Sequence, residues 1–201
     1  MELQAIGWAL AVVLVVYGLV ERARLARNAP PNVKIARAPV GKYVRIVGQI
    51  VDGGTLVAPI TGRACVSFDA VVLDEDGDDP NVLARGLRGT PFVVDDGTGK
   101  ILVDPRGAYI HVVYDQSEVG TLDTAKVADP DLLAPLAGRT DHLRFDEGVL
   151  TIGEYVAVTG LVSAAGSAAD DPVYRRLAPT ELRLAGAPDR PAVVSERPDD
   201  L

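Results

Sequence analysis

The chain has 201 residues, 48% hydrophobic and only 5% aromatic, enough for one ordinary domain with extensions. One cysteine, Cys65, excludes an intramolecular disulfide and any zinc finger or RING built from several Cys and His ligands. The net charge of -8 is uneven: from Ile46 onward there are 13 basic and 26 acidic residues, a balance of -13, which repels nucleic-acid backbones and anionic lipid.

The first element is apolar. Residues Ala5 to Val20 (AIGWALAVVLVVYGLV) carry no charge. With Leu3 and Gln4 included, the stretch reaches roughly 27 Å as a helix, enough to span a bilayer core. Trp8 and Tyr17 lie towards its two ends, where amphipathic rings favour the interface. Met1-Glu2 gives a negative start where a secretory signal wants a positive one. Residues 1–27 are therefore read as a transmembrane anchor with a basic flank, residues 3–20 contacting the lipid bilayer. Arg22, Arg24 and Arg27 place the C-terminal side in the cytoplasm and the N-terminus outside, in the cell membrane.

Residues 28–39 (NAPPNVKIARAP) form a proline-containing linker, because Pro30 and Pro31 cannot continue a helix. Residues 40–184 are read as a β-rich domain. Tyr43 to Val51 alternates, with Val44, Ile46 and Ile50 inward, Arg45 and Gln49 outward, and Gly48 as a bend. Leu56 to Gly62 is a turn-bearing connector, and Cys65 to Leu73 is a second strand. Asp74 to Asn81 is an acidic turn.

Next comes the stretch around which the domain is organised, Pro91 to Pro105. Two branched apolar runs flank Asp95-Asp96-Gly97-Thr98-Gly99, which predicts a β-hairpin with positive φ at one or both glycines. Phe92 and Val94 share one face with Ile101 and Val103; Val93 and Leu102 fall on the other, so both faces are expected to be covered. A short strand around Tyr109 to Tyr114 follows, then a short helix near Pro130 to Ala137 capped by Asp129, then strand again from Gly148 to Ser163 and around Glu181 to Leu184. Residues 185–201, with three prolines, are read as a disordered tail. One echo is internal: Gly41 to Ile50 (GKYVRIVGQI) resembles Gly153 to Val162 (GEYVAVTGLV). Both strands are expected to bend at their second glycine, as strands of small barrels do.

LVAPITGRACVSF, PFVVDDGTGKILVDPRGA and EGVLTIGEYVAVTGLV, in that order behind an apolar N-terminal stretch, resemble the GIDE-type or BAM (beside-a-membrane) domain. It occurs in mitochondrial membrane-anchored E3 ubiquitin ligases and in prokaryotic membrane proteins. The likeness runs from about Val40 to Leu184. In the eukaryotic relatives a C-terminal RING does the ligase work, and the domain lies between membrane helices. The resemblance implies the membrane-side, protein-recruiting module and not the RING chemistry. The fold class expected is mainly β: a small barrel-like (OB-like) antiparallel domain preceded by one N-terminal transmembrane helix.

For chemistry, Cys65 is the one candidate nucleophile, with His111 or His142 as its base and with Ser67 and Asp69 on the same strand face. A cysteine in an apolar run is more often a small packed hydrophobe. Asp74, Asp76 and Asp78 have the spacing of the first EF-hand ligands. The motif fails at Asp79, where glycine is needed, and at Arg85, where a bidentate glutamate is needed. Asp95 and Asp96 are read as turn-capping residues. Gly97-Thr98-Gly99 lacks the lysine and helix of a phosphate loop. His111 is read as a half-buried strand residue. No metal, cofactor or nucleic acid is expected. The leading function is a single-pass, membrane-anchored, non-catalytic module that binds an unidentified protein partner. The alternative is a membrane-tethered hydrolase or E3-ligase-like transferase using Cys65.

Overall fold

The computed structural model describes residues 30–74, 81–121, 127, 129–136, 143–165, 177 and 180–197. The expected anchor, residues 3–20, and its basic flank lie outside these. Among the described residues no helix is long and apolar enough to cross a membrane. Residues 32–201 form one unit.

Five strands close a barrel. They are β1 (Tyr43–Gly53), β6 (Phe92–Asp95), β7 (Lys100–Val103), β11 (Tyr155–Ala164) and β12 (Leu182–Ala185), in the spatial order β1-β6-β7-β12-β11, with β11 pairing back onto β1. Alternation dictates the closure: every second residue of β1 (Val44, Ile46, Ile50) is fully buried. These meet Phe92, Val94, Ile101 and Val103 from the hairpin and Val156, Val158, Val162 and Leu184 from the last two strands in one apolar core. The expected hairpin is present: Asp95 pairs with Lys100, Gly97 takes φ +81° and Gly99 does not. Val93 and Leu102 are covered on the outer face by Val51 and Leu177. The antiparallel expectation needs one correction, because β7 and β12 run parallel. β12 is antiparallel to β11 and fills the place between β11 and β7, which closes the barrel with β12 running parallel to β7.

Two insertions interrupt the barrel and meet in a second sheet. The first, between β1 and β6, supplies the ribbon β2 (Leu56–Val57) with β3 (Ala64–Cys65), then β4 (Ser67–Asp74) and β5 (Asn81–Gly89). The second, between β7 and β11, supplies β8 (Tyr109–His111), β9 (Gln116–Gly120), helix α1 (Pro130–Leu133) continued by a 3-10 turn over Ala134–Leu136, and β10 (Leu143–Leu150). The sheet order is β5-β4-β10-β9. Phe68, Ala70, Val72, Leu143, Phe145 and Val149 pack there with Leu132 and Leu136 of the helical turn in a core of their own.

Several expected boundaries move. Gly148 to Ser163 is not one strand: Gly153, at φ +101°, reverses the chain between β10 and β11. The stretch read as a tail contributes β13 (Val193–Ser195), which pairs with β11 and, in parallel, with β8; Val194 is fully buried. Part of the linker is also folded: Asn32 bridges to Arg45, and Ile35 is 3% exposed in the barrel core.

The internal echo is a structural fact. β1 and β11 pair with each other so that Ile46 lies opposite Val158, Tyr43 opposite Leu161 and Gln49 opposite Tyr155. A local two-fold relates the two strands. Their end bonds are duplicated: Gly41 N–H donates to Val162 O and Gly153 N–H to Ile50 O, each at 2.8 Å. A Cβ on Gly48 would lie 2.6 Å from Asp95 O, and one on Gly160 2.7 Å from Ala185 O, so close approach of a neighbouring strand requires glycine at both positions.

Candidate functional site

Residues facing outward from β1 meet the hairpin tip and the folded linker in an open groove of about 560 Å³. Val47 and Val51 alternate with Gln49 along its floor; Asn32, Val33 and Lys34 form one wall, Asp95 and Asp96 another, and Tyr155 stands at the rim. The volume falls within the range of small-ligand and peptide sites, and the lining mixes aliphatic surface with a few polar groups. Tyr155 is 61% exposed, and Ile152, on the turn just before it, is 58% exposed. An exposed tyrosine beside an exposed isoleucine is the composition of a protein-contact anchor.

The walls are fixed by the hairpin tip. Asp95 Oδ1 accepts the Gly97 N–H at 2.8 Å, and Asp96 Oδ1 accepts the Thr98 N–H at 2.9 Å, as turn aspartates do. The tip also holds the linker. Asp96 Oδ2 accepts the Ile35 N–H at 2.9 Å, and Thr98 Oγ1 accepts the Ala36 N–H at 3.2 Å. A Cβ at Gly99 would press to 3.1 Å from Ile35 Cγ2. The Asp-Asp-Gly-Thr-Gly motif thus docks the segment that precedes the barrel, a role its turn chemistry alone did not reveal. Burial opposes the Asp96 charge, but the Thr98 hydroxyl, the Ile35 and Thr98 N–H groups and Lys34 outweigh it, and the pKa lies below the ordinary aspartate value.

Cys65 lies elsewhere. It is 4% exposed in the second core, and its thiol donates weakly to Leu56 O at 3.8 Å. Burial first, then the nearby Glu147 charge, push the thiol up to about 11, far from a thiolate at neutral pH. Ser67 and Asp69 do not share its face, because the chain turns at Val66 between β3 and β4. Ser67 Oγ donates to Arg88 O, and Asp69 is held by Arg85 (2.6 and 2.9 Å) and by the Tyr114 hydroxyl (2.9 Å). Burial and the bond to Asp69 push the Tyr114 hydroxyl up to about 12. His111 is exposed on β8, and His142 lies outside the described residues. Asp74 ends β4, and residues 75–80 of the acidic turn lie outside the described residues; Arg85 is engaged by Asp69. Among the described residues no group of three or more His, Cys, Asp or Glu is placed to hold a metal ion.

The sequence reading missed Glu147, a fully buried carboxylate on β10. It accepts the Ile60 N–H at 2.8 Å, the Thr61 N–H at 3.1 Å and the Thr61 hydroxyl. Arg63 stands 4.0 Å away and forks onto Asp115 at 2.5 and 2.7 Å. These bonds shape the Ala58–Arg63 loop, so the LVAPITG motif is a structural clasp between the two insertions and not a reactive loop.

No curated protein and no solved structure matches the chain. Residues 75–170 match the family model GIDE, described as E3 ubiquitin ligase, a span that holds both the hairpin and the β10–β11 turn beside the groove, so this part of the chain is similar to the GIDE family.

Proposed function

We propose that the chain is a membrane-anchored interaction module whose barrel binds a partner protein through the groove beside Tyr155. The observation that carries this reading is the groove itself, with aliphatic floor, polar walls and the exposed Tyr155 at its rim. The strand order β1-β6-β7-β12-β11, with β12 parallel to β7 and β11 pairing back onto β1, supports an OB-like description of the barrel. The apolar run at residues 3–20 supports the anchor, and Arg22, Arg24 and Arg27 favour a cytoplasmic barrel. A RING needs several Cys and His ligands at close spacing, and these 201 residues hold one Cys and two His. The burial and raised pKa of Cys65 disfavour the hydrolase or transferase alternative. The acidic balance from Ile46 onward disfavours nucleic acid.

The test is co-purification from detergent-solubilised native membranes. Val47→Arg fills the groove and Tyr155→Ala removes its rim; both should lose the bound partner, while Cys65→Ala should retain it. Retention in both groove variants, or loss in the Cys65 variant with the fold intact, would overturn the reading.

A further inference from the structure

The local two-fold of the barrel makes two equivalent tyrosines, Tyr43 on β1 and Tyr155 on β11, and the chain treats them differently. Past the end of β12 the chain runs on through Gly186 to Ala192 and covers Tyr43. The Tyr43 hydroxyl donates to Pro191 O at 2.5 Å, and the Arg190 guanidinium lies 4.0 Å from its ring centroid. The same segment then enters β13, which pairs Ser195 with Ala157. Around Tyr155 the corresponding place is open. β6 turns back at Asp95 into its own hairpin, and the position equivalent to Ala157, which is Arg45, is bridged by Asn32. The gap left between hairpin tip and linker is the groove. The Tyr155 hydroxyl makes no hydrogen bond among the described residues, and neither does the second carboxylate oxygen of Asp95.

We infer that the Tyr155 groove takes an arginine–proline segment of a partner protein, bound as the chain's own Arg190-Pro191 is bound at Tyr43. The guanidinium stacks on the Tyr155 ring, and a peptide carbonyl accepts the Tyr155 hydroxyl. Proline's fixed φ keeps the segment extended at low entropic cost. Charge favours this occupant. The groove holds two carboxylates, Asp95 and Asp96, against one ammonium, Lys34, and Asp96 is already engaged by the linker and by Lys34. The domain around it is strongly acidic, which draws a cationic segment in. This inference rests on the groove reading above and names its ligand.

The probe is a fluorescein-labelled peptide with the sequence of residues 186–192, Gly-Ala-Pro-Asp-Arg-Pro-Ala, titrated by anisotropy into the full chain in mild detergent. Saturable binding is expected. Replacing the peptide arginine by alanine should weaken it about fivefold to tenfold, as should Tyr155→Ala in the protein. Tyr155→Phe, which keeps the ring, should weaken it about threefold. Tyr109→Ala, exposed on β8, should change nothing. Absence of saturable binding, equal binding of the alanine peptide, or insensitivity to Tyr155→Ala would overturn the inference. So would a self-association of the chain that Arg190→Ala abolishes, which would give the groove to a second copy. If the peptide fails while Val47→Arg still loses the partner in the co-purification, the groove stands and only its arginine–proline ligand falls. If that partner is also retained, the groove reading falls with it.

Discussion

The barrel and the inserted sheet hold together by different means. The barrel core is aliphatic throughout apart from Phe92, and each of its strands pairs on both sides. The inserted sheet has a smaller core and is fastened by buried carboxylates: Glu147 on the Ala58–Arg63 loop, Asp69 on Arg85 and Tyr114, and Asp129 on Arg88 at 3.1 Å. Packing spreads its contribution over many atoms, whereas a buried carboxylate concentrates it in a few bonds. The barrel thus serves as a rigid support for the groove, and the insertions are clipped to it at discrete points.

Urea unfolding of the full chain in detergent separates these contributions. The largest effect should come from Phe92→Ala, about 3–5 kcal/mol, because the ring is fully buried at the junction of hairpin and β1. A cost below that of any polar variant would deny the barrel its central place. Glu147→Ala should follow at about 1–3 kcal/mol, since it leaves the Ile60 and Thr61 N–H groups without their acceptor. Amide exchange should rise over residues 58–63 first and leave the barrel strands protected; uniform loss of protection would mean that sheet and barrel are one cooperative structure. Gly97→Val should cost about 1–2 kcal/mol, because a branched residue is strained at φ +81°.

Asp96→Ala should cost least, about 1 kcal/mol, and should free the linker without opening the barrel. The same event follows from acid. The folded pKa of Asp96 lies below the unfolded value of 3.8, so its contribution is present above that value and is lost as the pH falls through the lower folded pKa. Exchange of the Ile35 and Ala36 amides should therefore rise below about pH 4 in the native chain and be insensitive to that change in the alanine variant. No difference between the two would remove Asp96 from the clasp.

How much of this the sequence revealed follows the same division. β1, β6 and β7 announce themselves because alternation and turn glycines are local properties. Of the inserted strands, β4 and β8 are read close to their places, but β5 and β9 are not. β5 carries a register shift opposite Val72 and Leu73 that breaks its period, and β9 is an exposed edge with no apolar face to read. Glu147 gave no cue, since nothing local tells which of the adjacent Asp146 and Glu147 points to solvent and which to a loop 87 residues away. β13 and the buried Ile35 sit in proline-containing stretches whose composition suggests a tail and a linker; only long-range pairing orders them. At the site, the repeated Gly-x-Tyr-Val pattern was legible, and so were the two glycines, Gly48 and Gly160, that let neighbouring backbone approach. That one tyrosine is covered by the chain and its twin left open depends on tertiary connections that no local pattern encodes.

Site-specific photo-crosslinking in native membranes tests the central claim most directly. A photoreactive side chain is placed in turn at Tyr155, on the barrel rim, and at Val119, which is 64% exposed on β9 of the inserted sheet. The groove account predicts a discrete adduct from the Tyr155 position that Val47→Arg abolishes, and none from Val119. An adduct from Val119 that survives Val47→Arg, with none from Tyr155, would move the binding surface to the inserted sheet and contradict the account.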